Sequence, residues 1–416
     1  MLRIAPASPL DVADAAWAQP EPIKATGRFA SGSPAPVARI EAAPFVWRDP
    51  ASLPTRQWLY GHHRIRKFLS LTVAPGGAGK SSLALVDCLA MVTGRDFVGD
   101  RPAGKLRCWY WNLEDPLEEI ERRVAAIGMH YGLAAEDIAG RLFINGRDMK
   151  LTIATADREG ITLDDRAVGE IEAAIREHRI DALTVDPFVA SHRVQENDNV
   201  AIAAVAEAWA ALADRTGCSV ELVHHTRKAS AGIAGAYDAS DARGASAPVS
   251  AAPVARVLNV MGEEEATKFN VEGRRAYFRV DDAKSNLAPP ASATRWCHLT
   301  SVDLCNGPNG GDRVGVATPW TPPDAFDGLS SADLLRVQEA VAADSNCRAH
   351  PQAAAWAGHT VAASLGIDAQ TKPGRGRVQT LIAGWLASGA LKVVHRPDGR
   401  RETRAFIEVG QWVVTP

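Results

Sequence analysis

The sequence predicts an α/β protein with a mainly parallel sheet and a smaller α+β unit towards its C-terminus. Three observations predict it. Apolar runs of strand length alternate with helical patterns from Phe68 to His225, as in a parallel sheet covered on both faces. A glycine-rich stretch, APGGAGKSS (74–82), joins the first such strand to the first such helix. Beyond residue 330, three helical patterns precede two β-like runs joined by a polar turn.

FLSLTVA (68–74) reads as a strand and SSLALVDCLAMVTG (81–94) as a helix. LRCWYWNLE (106–114) is a second strand, followed by a charged helix from Leu117 to Ile127. Next come a short strand (141–145), a helix (168–178), the strand DALTVDPF (181–188), a helix (199–217) and the strand SVELVHH (219–225). The stretch 228–248 is rich in Gly, Ala and Ser, a long loop of the kind that is usually functional. Strands then follow without long helices, at 255–261, 275–284 and 295–300.

Four regions are expected. Residues 1–43, rich in Ala and Pro, read as a disordered lead-in. Residues 44–303 form the α/β domain, entered through an ordered aromatic arm from Phe45 to Tyr60. Residues 304–329 have the Gly and Pro density of a linker, and 330–416 form the small α+β domain.

Of the 416 residues, 46% are hydrophobic and 23% charged, enough apolar content for a sizeable core. A formal net charge of −3 excludes a uniformly basic nucleic-acid binder, so any such role needs a local patch. The six cysteines form no CxxC and no zinc spacing, and three lie in apolar elements. No apolar run is long enough to span a bilayer, and no secretory signal is evident. A soluble, cytoplasmic protein in a reducing compartment is expected.

The stretch from Ala74 through Pro75, Gly76, Gly77, Ala78, Gly79, Lys80 and Ser81 to Ser82 has the strand-to-helix context of a phosphate-binding loop. Glycines let backbone N–H groups approach a phosphate, the helix N-terminus adds partial positive charge, and Lys80 reaches the outer phosphates. Ser81 would place its hydroxyl on Mg²⁺. The first glycine of the usual pattern is Ala74 here. Asp186 ends an apolar strand, where a carboxylate can hold the Mg²⁺ shell. The expected ligands are ATP and Mg²⁺.

The stretch WYWNLEDP (109–116) ends a strand in two carboxylates. On a strand expected to neighbour that of the phosphate loop, Glu114 can polarise the water that attacks the γ-phosphate. Asp115 reads as a cap of the next helix, and capping is also the alternative for Glu114. His224 and His225 end a further strand, one a candidate γ-phosphate sensor and the other core or surface.

Together, residues 74–81, Glu114, Asp186 and the His224–His225 pair resemble the RecA-like ATPases. Closest is the RepA-like branch of plasmid and phage hexameric replicative helicases, with its bacterial "AAA family ATPase" relatives. The resemblance covers about residues 54–300. It implies a homo-oligomer, a hexamer favoured, with ATP between subunits and a basic residue supplied in trans. Arg243 and Lys284 occupy matching positions, although Asn286 stands where the family's Lys-x-Arg pair has its arginine. Loops at 188–199 and 227–248 match DNA-contacting loops, with His192, Arg193, Arg227 and Lys228 as donors to single-stranded DNA in a central channel.

From Lys372 to Arg404 eight Lys/Arg face only Asp398 and Glu402, a local basic patch. Three short helices and a basic hairpin resemble a winged helix–turn–helix. Helix 375–388, with Arg377, would meet a duplex groove, and Asp398–Gly399–Arg400–Arg401 the backbone phosphate. The expectation is an ATP-hydrolysing, DNA-associated motor, a RepA-like helicase or loader serving replication. The alternative is an ATP-switched DNA-binding regulator that hydrolyses slowly and unwinds nothing.

Overall fold

The computed structural model describes residues 41–158, 160–225, 246–269, 271–289, 294–398 and 401–414. The chain divides into two compact units, Met1–Pro54 and Thr55–Pro416. In the first, the described residues carry one 3-10 turn, Pro50–Ser52, capped by the Asp49 carboxylate. Phe45, Val46 and Trp47 are exposed there. The aromatic arm expected from Phe45 to Tyr60 is therefore divided between the units. The lead-in expected over 1–43 lies outside the described residues up to position 40.

The second unit opens with an antiparallel pair, β1 (Trp58–Tyr60) and β2 (Arg64–Ile65). There follow β3 (Leu69–Ala74), α1 (Lys80–Thr93), β4 (Cys108–Asn112), α2 (Leu117–Tyr131), α3 (Ala135–Ile138) and β5 (Leu142–Asn145). A small hairpin, β6 (Ala154–Ala156) and β7 (Ile161–Leu163), precedes α4 (Asp165–His178). Then come β8 (Ala182–Asp186), α5 (Asn199–Thr216), β9 (Ser219–His225), α6 (Ser246–Ala251), β10 (Val254–Val260) and α7 (Glu263–Phe269). Strands β11 (Tyr277–Ser285), β12 (Arg295–Asp303) and β13 (Arg313–Trp320) follow. The chain finishes with α8 (Ser331–Ala343), α9 (Ala357–Leu365), α10 (Lys372–Ala387), β14 (Leu391–Pro397) and β15 (Thr403–Val409).

Nine strands form one sheet in the order β13-β12-β11-β10-β3-β9-β8-β4-β5. From β10 to β5 every pairing is parallel, and β10 to β13 form an antiparallel extension. Strands β3, β4 and β8 are buried along their whole length, as their unbroken apolar runs require. Helices α1 and α2 share one apolar cluster with the sheet, while α4 and α5 share another. The fold class read from the sequence is the one observed.

A charged network is buried between α1 and the sheet. Glu221 of β9 accepts from Arg64 at 2.6 Å and from Thr72, sits 2.6 Å from the His63 ring and 3.3 Å from Arg256. Arg256 also reaches Asp87 of α1 at 2.6 Å. Burial opposes ionisation of Glu221, but the charges of His63, Arg256 and Arg64 hold its carboxyl well below the usual range. These residues staple β2, β3, β9, β10 and α1 together.

Residues 313–320, expected within a linker, are instead β13, paired with β12 from Arg313 to Trp320. Val316, Ala317 and Thr318 are buried in succession, without the alternation that would mark a half-buried strand, and nearby Gly and Pro further hide the strand in the sequence. Pro319 is tolerated because β13 is an edge strand.

The small unit has its own core, including Val337, Trp356, Val361, Leu381, Trp385 and Ile407. Arg348 bridges both Trp356 and Phe406, adding a third short β position beside the β14–β15 hairpin. Helix α10 packs on α7 so closely that a Cβ at Gly376 would lie 2.9 Å from the Thr267 carbonyl oxygen. The expected helix 375–388 is this one, begun three residues earlier by a Thr371 cap.

Candidate nucleotide site

Ala74 ends β3, and residues 75–79 turn into α1 at Lys80. Gly77 and Gly79 adopt φ of 77° and 85°, left-handed values that favour glycine. Nothing lies within 4 Å of a Cβ built at Gly76 or Gly77, so the loop's outer side is open. Beneath it the packing is tight: a Cβ at Gly79 would meet Phe278 and Leu299 at 3.1 Å. Lys80 is only 8% exposed. Ser82 faces the other way. Its hydroxyl donates to the Gly315 carbonyl and accepts from the Ala317 N–H, both at 2.9 Å, so it fastens α1 to β13 rather than facing a ligand.

The sheet order corrects one expectation. The neighbours of β3 are β9 and β10, and β4 lies beyond β9 and β8. Registration nonetheless gathers the strand ends: Ala74 pairs with His225, and Asn112 with Asp186. Carboxyl ends of parallel strands are where open α/β sheets bind ligands. Glu114 follows β4 and places Oε1 3.8 Å from His225 Nε2.

Asp186 is 1% exposed. Burial pushes its carboxyl up, while hydrogen bonds from Ser81 and Tyr110 and the charge of Lys80 pull it back. A buried carboxylate beside a hydroxyl is a hard oxygen pair that suits Mg²⁺. Tyr110 donates to Asp186 at 2.8 Å, and Asn112 Nδ2 donates to the Tyr110 oxygen at 3.3 Å. Asn112 Oδ1 accepts from the N–H groups of Glu114 at 2.9 Å and Asp115 at 2.7 Å. Asp115 does not cap α2, whose N-cap is Pro116 without a side-chain bond. Its carboxylate pairs with Arg123 at 2.8 Å instead. Tyr110, Asn112 and Arg123 were not legible as site residues, although an Asn closing an apolar strand is a usable signal.

The two histidines separate as adjacent strand residues must. His225 faces Lys80 and Glu114, and burial, then Lys80, lower its pKa. His224 turns into the core against Phe188, where burial pushes it down to about 4. It is not at the nucleotide site. His192 is buried against the same Phe188 ring, with its pKa also lowered to about 4 by burial, so it is no phosphate donor.

Other expected residues lie apart. Lys284 pairs opposite Ala255, at the end of the sheet away from Lys80, and donates to the carbonyls of Val249 and Ser250 at 2.9 and 3.0 Å. Arg377 donates to the carbonyls of Ala325 and Asp327 at 3.0 and 2.9 Å, so it holds the approach to α8 rather than facing a duplex. Arg193 and Arg401 are exposed. Arg227, Lys228, Arg243 and Arg400 lie outside the described residues. A cleft of about 750 Å³ between β4, β5 and α4, floored by Trp109 and Trp111, is separate from the phosphate loop.

Residues 34–231 match a family model described as an AAA domain. Among solved structures, "Crystal structure of the RadB recombinase" is similar at 14% identity and TM-score 0.36, covering 56% of this chain and 88% of that chain.

Proposed function

We propose that the protein is a Mg²⁺-dependent ATPase acting on DNA, a RepA-like helicase or loader. One observation carries the ATPase reading: the phosphate loop, Asp186, Glu114 and His225 stand together at the carboxyl ends of β3, β8, β4 and β9. The match to an AAA domain over 34–231 supports it.

In this reading the N–H groups of residues 76–81 and Lys80 bind the phosphates. Ser81 and Asp186 hold Mg²⁺, which when bound neutralises charge on the transferring phosphoryl group. Glu114 takes a proton from the attacking water, and its partial exposure leaves it reachable by that water. A trans cation completes the site, and Arg243 and Lys284 are both proposed for it. Within its own chain, Lys284 is too far removed to act.

The DNA reading rests on the exposed Arg193, Lys372, Lys392 and Arg401, and on a helix order in the small unit that suits a winged helix. A second reading, the ATP-switched regulator, is favoured by the packing of α10 on α7. That contact ties the DNA-binding candidate to the sheet domain. Steady-state ATP hydrolysis with and without single-stranded DNA, at two salt concentrations, separates the two. Salt-sensitive stimulation supports the motor; an unchanged slow rate with DNA bound supports the regulator. No hydrolysis at all, with Lys80 intact, overturns both.

A further inference from the structure

Between the metal-holding carboxylate and the catalytic base runs an unbroken chain of hydrogen bonds. Ser81 lies beside Asp186 and draws its carboxyl down against the effect of burial. Tyr110 donates to Asp186 Oδ2 at 2.8 Å, and Asn112 Nδ2 meets the Tyr110 oxygen at 3.3 Å. The other end of the same Asn112 amide accepts the backbone N–H of Glu114. Asn112 Nδ2 also reaches Asp115 Oδ2 at 3.2 Å, and Asp115 is anchored by Arg123 of α2. Tyr110 and Asn112 are almost fully buried, on one face of β4, two residues apart. A buried amide using both its ends in this way is fixed in orientation, because flipping it would set acceptor against acceptor.

We infer that Tyr110 and Asn112 are positioning residues that set the place of Glu114 by reference to Asp186. This rests on the ATPase reading above and adds residues to it. The physical need is clear. Glu114 follows its strand in a turn, where side-chain direction is set by the local backbone. The Asn112 carbonyl oxygen imposes that backbone path by holding two successive N–H groups. The Tyr110 hydroxyl then ties the same amide to the carboxylate that the nucleotide's metal would meet. Neither residue is placed to touch the nucleotide, so their removal should affect geometry rather than ground-state binding.

The test uses the full chain, with Tyr110→Phe, Asn112→Ala and the double variant in the wild-type and Glu114→Gln backgrounds. Three quantities are read: kcat, the Kd for a fluorescent non-hydrolysable ATP analogue, and the Mg²⁺ concentration that half-saturates that binding. Tyr110→Phe removes one oxygen and keeps the ring, so it is the variant expected to fold if Asn112→Ala does not. Each single variant is expected to lower kcat about 10- to 100-fold, with the analogue's Kd at saturating Mg²⁺ changed less than about threefold. Tyr110→Phe alone should shift the Mg²⁺ half-saturation, since only it touches Asp186. The double variant should lose far less than the product of the singles, and neither change should lower the residual rate of Glu114→Gln.

Wild-type kcat in both single variants overturns the inference, as do multiplicative losses in the double variant. A wild-type protein that binds the analogue but never turns over ATP overturns the ATPase reading, and this inference with it. In that case the Mg²⁺ shift in Tyr110→Phe still reports whether Tyr110 acts on the metal-holding carboxylate.

Discussion

Glu114 and His225 face each other across the end of one intervening strand, Oε1 to Nε2 at 3.8 Å. They belong to β4 and β9, which are not neighbours, since β8 lies between them. Glu114→Gln keeps the shape of this contact and removes the base proposed for the reaction. It should lower kcat at least about 100-fold while an ATP analogue still binds, whereas Lys80→Ala should weaken binding as well. Steady-state turnover beside analogue titration checks both.

The loop glycines should behave unequally. Gly76→Ala places its methyl in open space without backbone strain. It should leave the melting temperature unchanged and weaken nucleotide binding. Gly79→Ala meets both a left-handed φ of 85° and the Phe278 and Leu299 side chains. It should destabilise the fold by about 2 kcal/mol or more. Thermal melts with nucleotide titrations distinguish these outcomes.

Glu221 is the hub of the buried charge network, so Glu221→Gln should be far more damaging than its surface would suggest. Two guanidiniums, Arg64 and Arg256, would lose their shared counter-charge. A loss of about 3–5 kcal/mol is expected, read as the shift in a urea midpoint at constant slope. A variant as stable as wild type would remove the network from the account of the fold.

Acid should weaken the protein through His192 and His224. Burial lowers both to about 4, below the ordinary 6.5. Between those values the unfolded chain binds protons that the folded chain does not, so stability falls as pH drops from about 6.5 to about 4. Below pH 4 these two groups add no further change. Urea midpoints across this window should slope less in a His192→Phe, His224→Phe variant.

Much of the candidate nucleotide site was legible because its signals are local. Lys80 and Ser81 follow a strand and glycines within nine residues, and Asp186 closes an apolar run. What sequence could not supply was pairing between distant segments. The β4–β8–β9 order, and hence the way Glu114 meets His225, depends on crossovers that periodicity does not encode. Which of His224 and His225 faces the loop depends on the side of one strand. Ser82 and Arg377 looked like ligands because their partners, Gly315 and Ala325, lie far along the chain. The strand at 313–320 was lost among glycines and prolines, two of which, Gly315 and Pro319, lie within it.

Strand β11 touches two places that the sheet keeps far apart. Its Phe278 ring lies against Gly79, while Lys284, six residues on, grips the carbonyls that end α6. That is about 20 Å of extended chain. An extended backbone has almost no slack along its axis, so β11 acts as a stiff rod between the phosphate loop and the far rim. A push on the α6 rim therefore cannot be absorbed there alone, and some of it arrives under Gly79, the phosphate-loop glycine already packed against its neighbours.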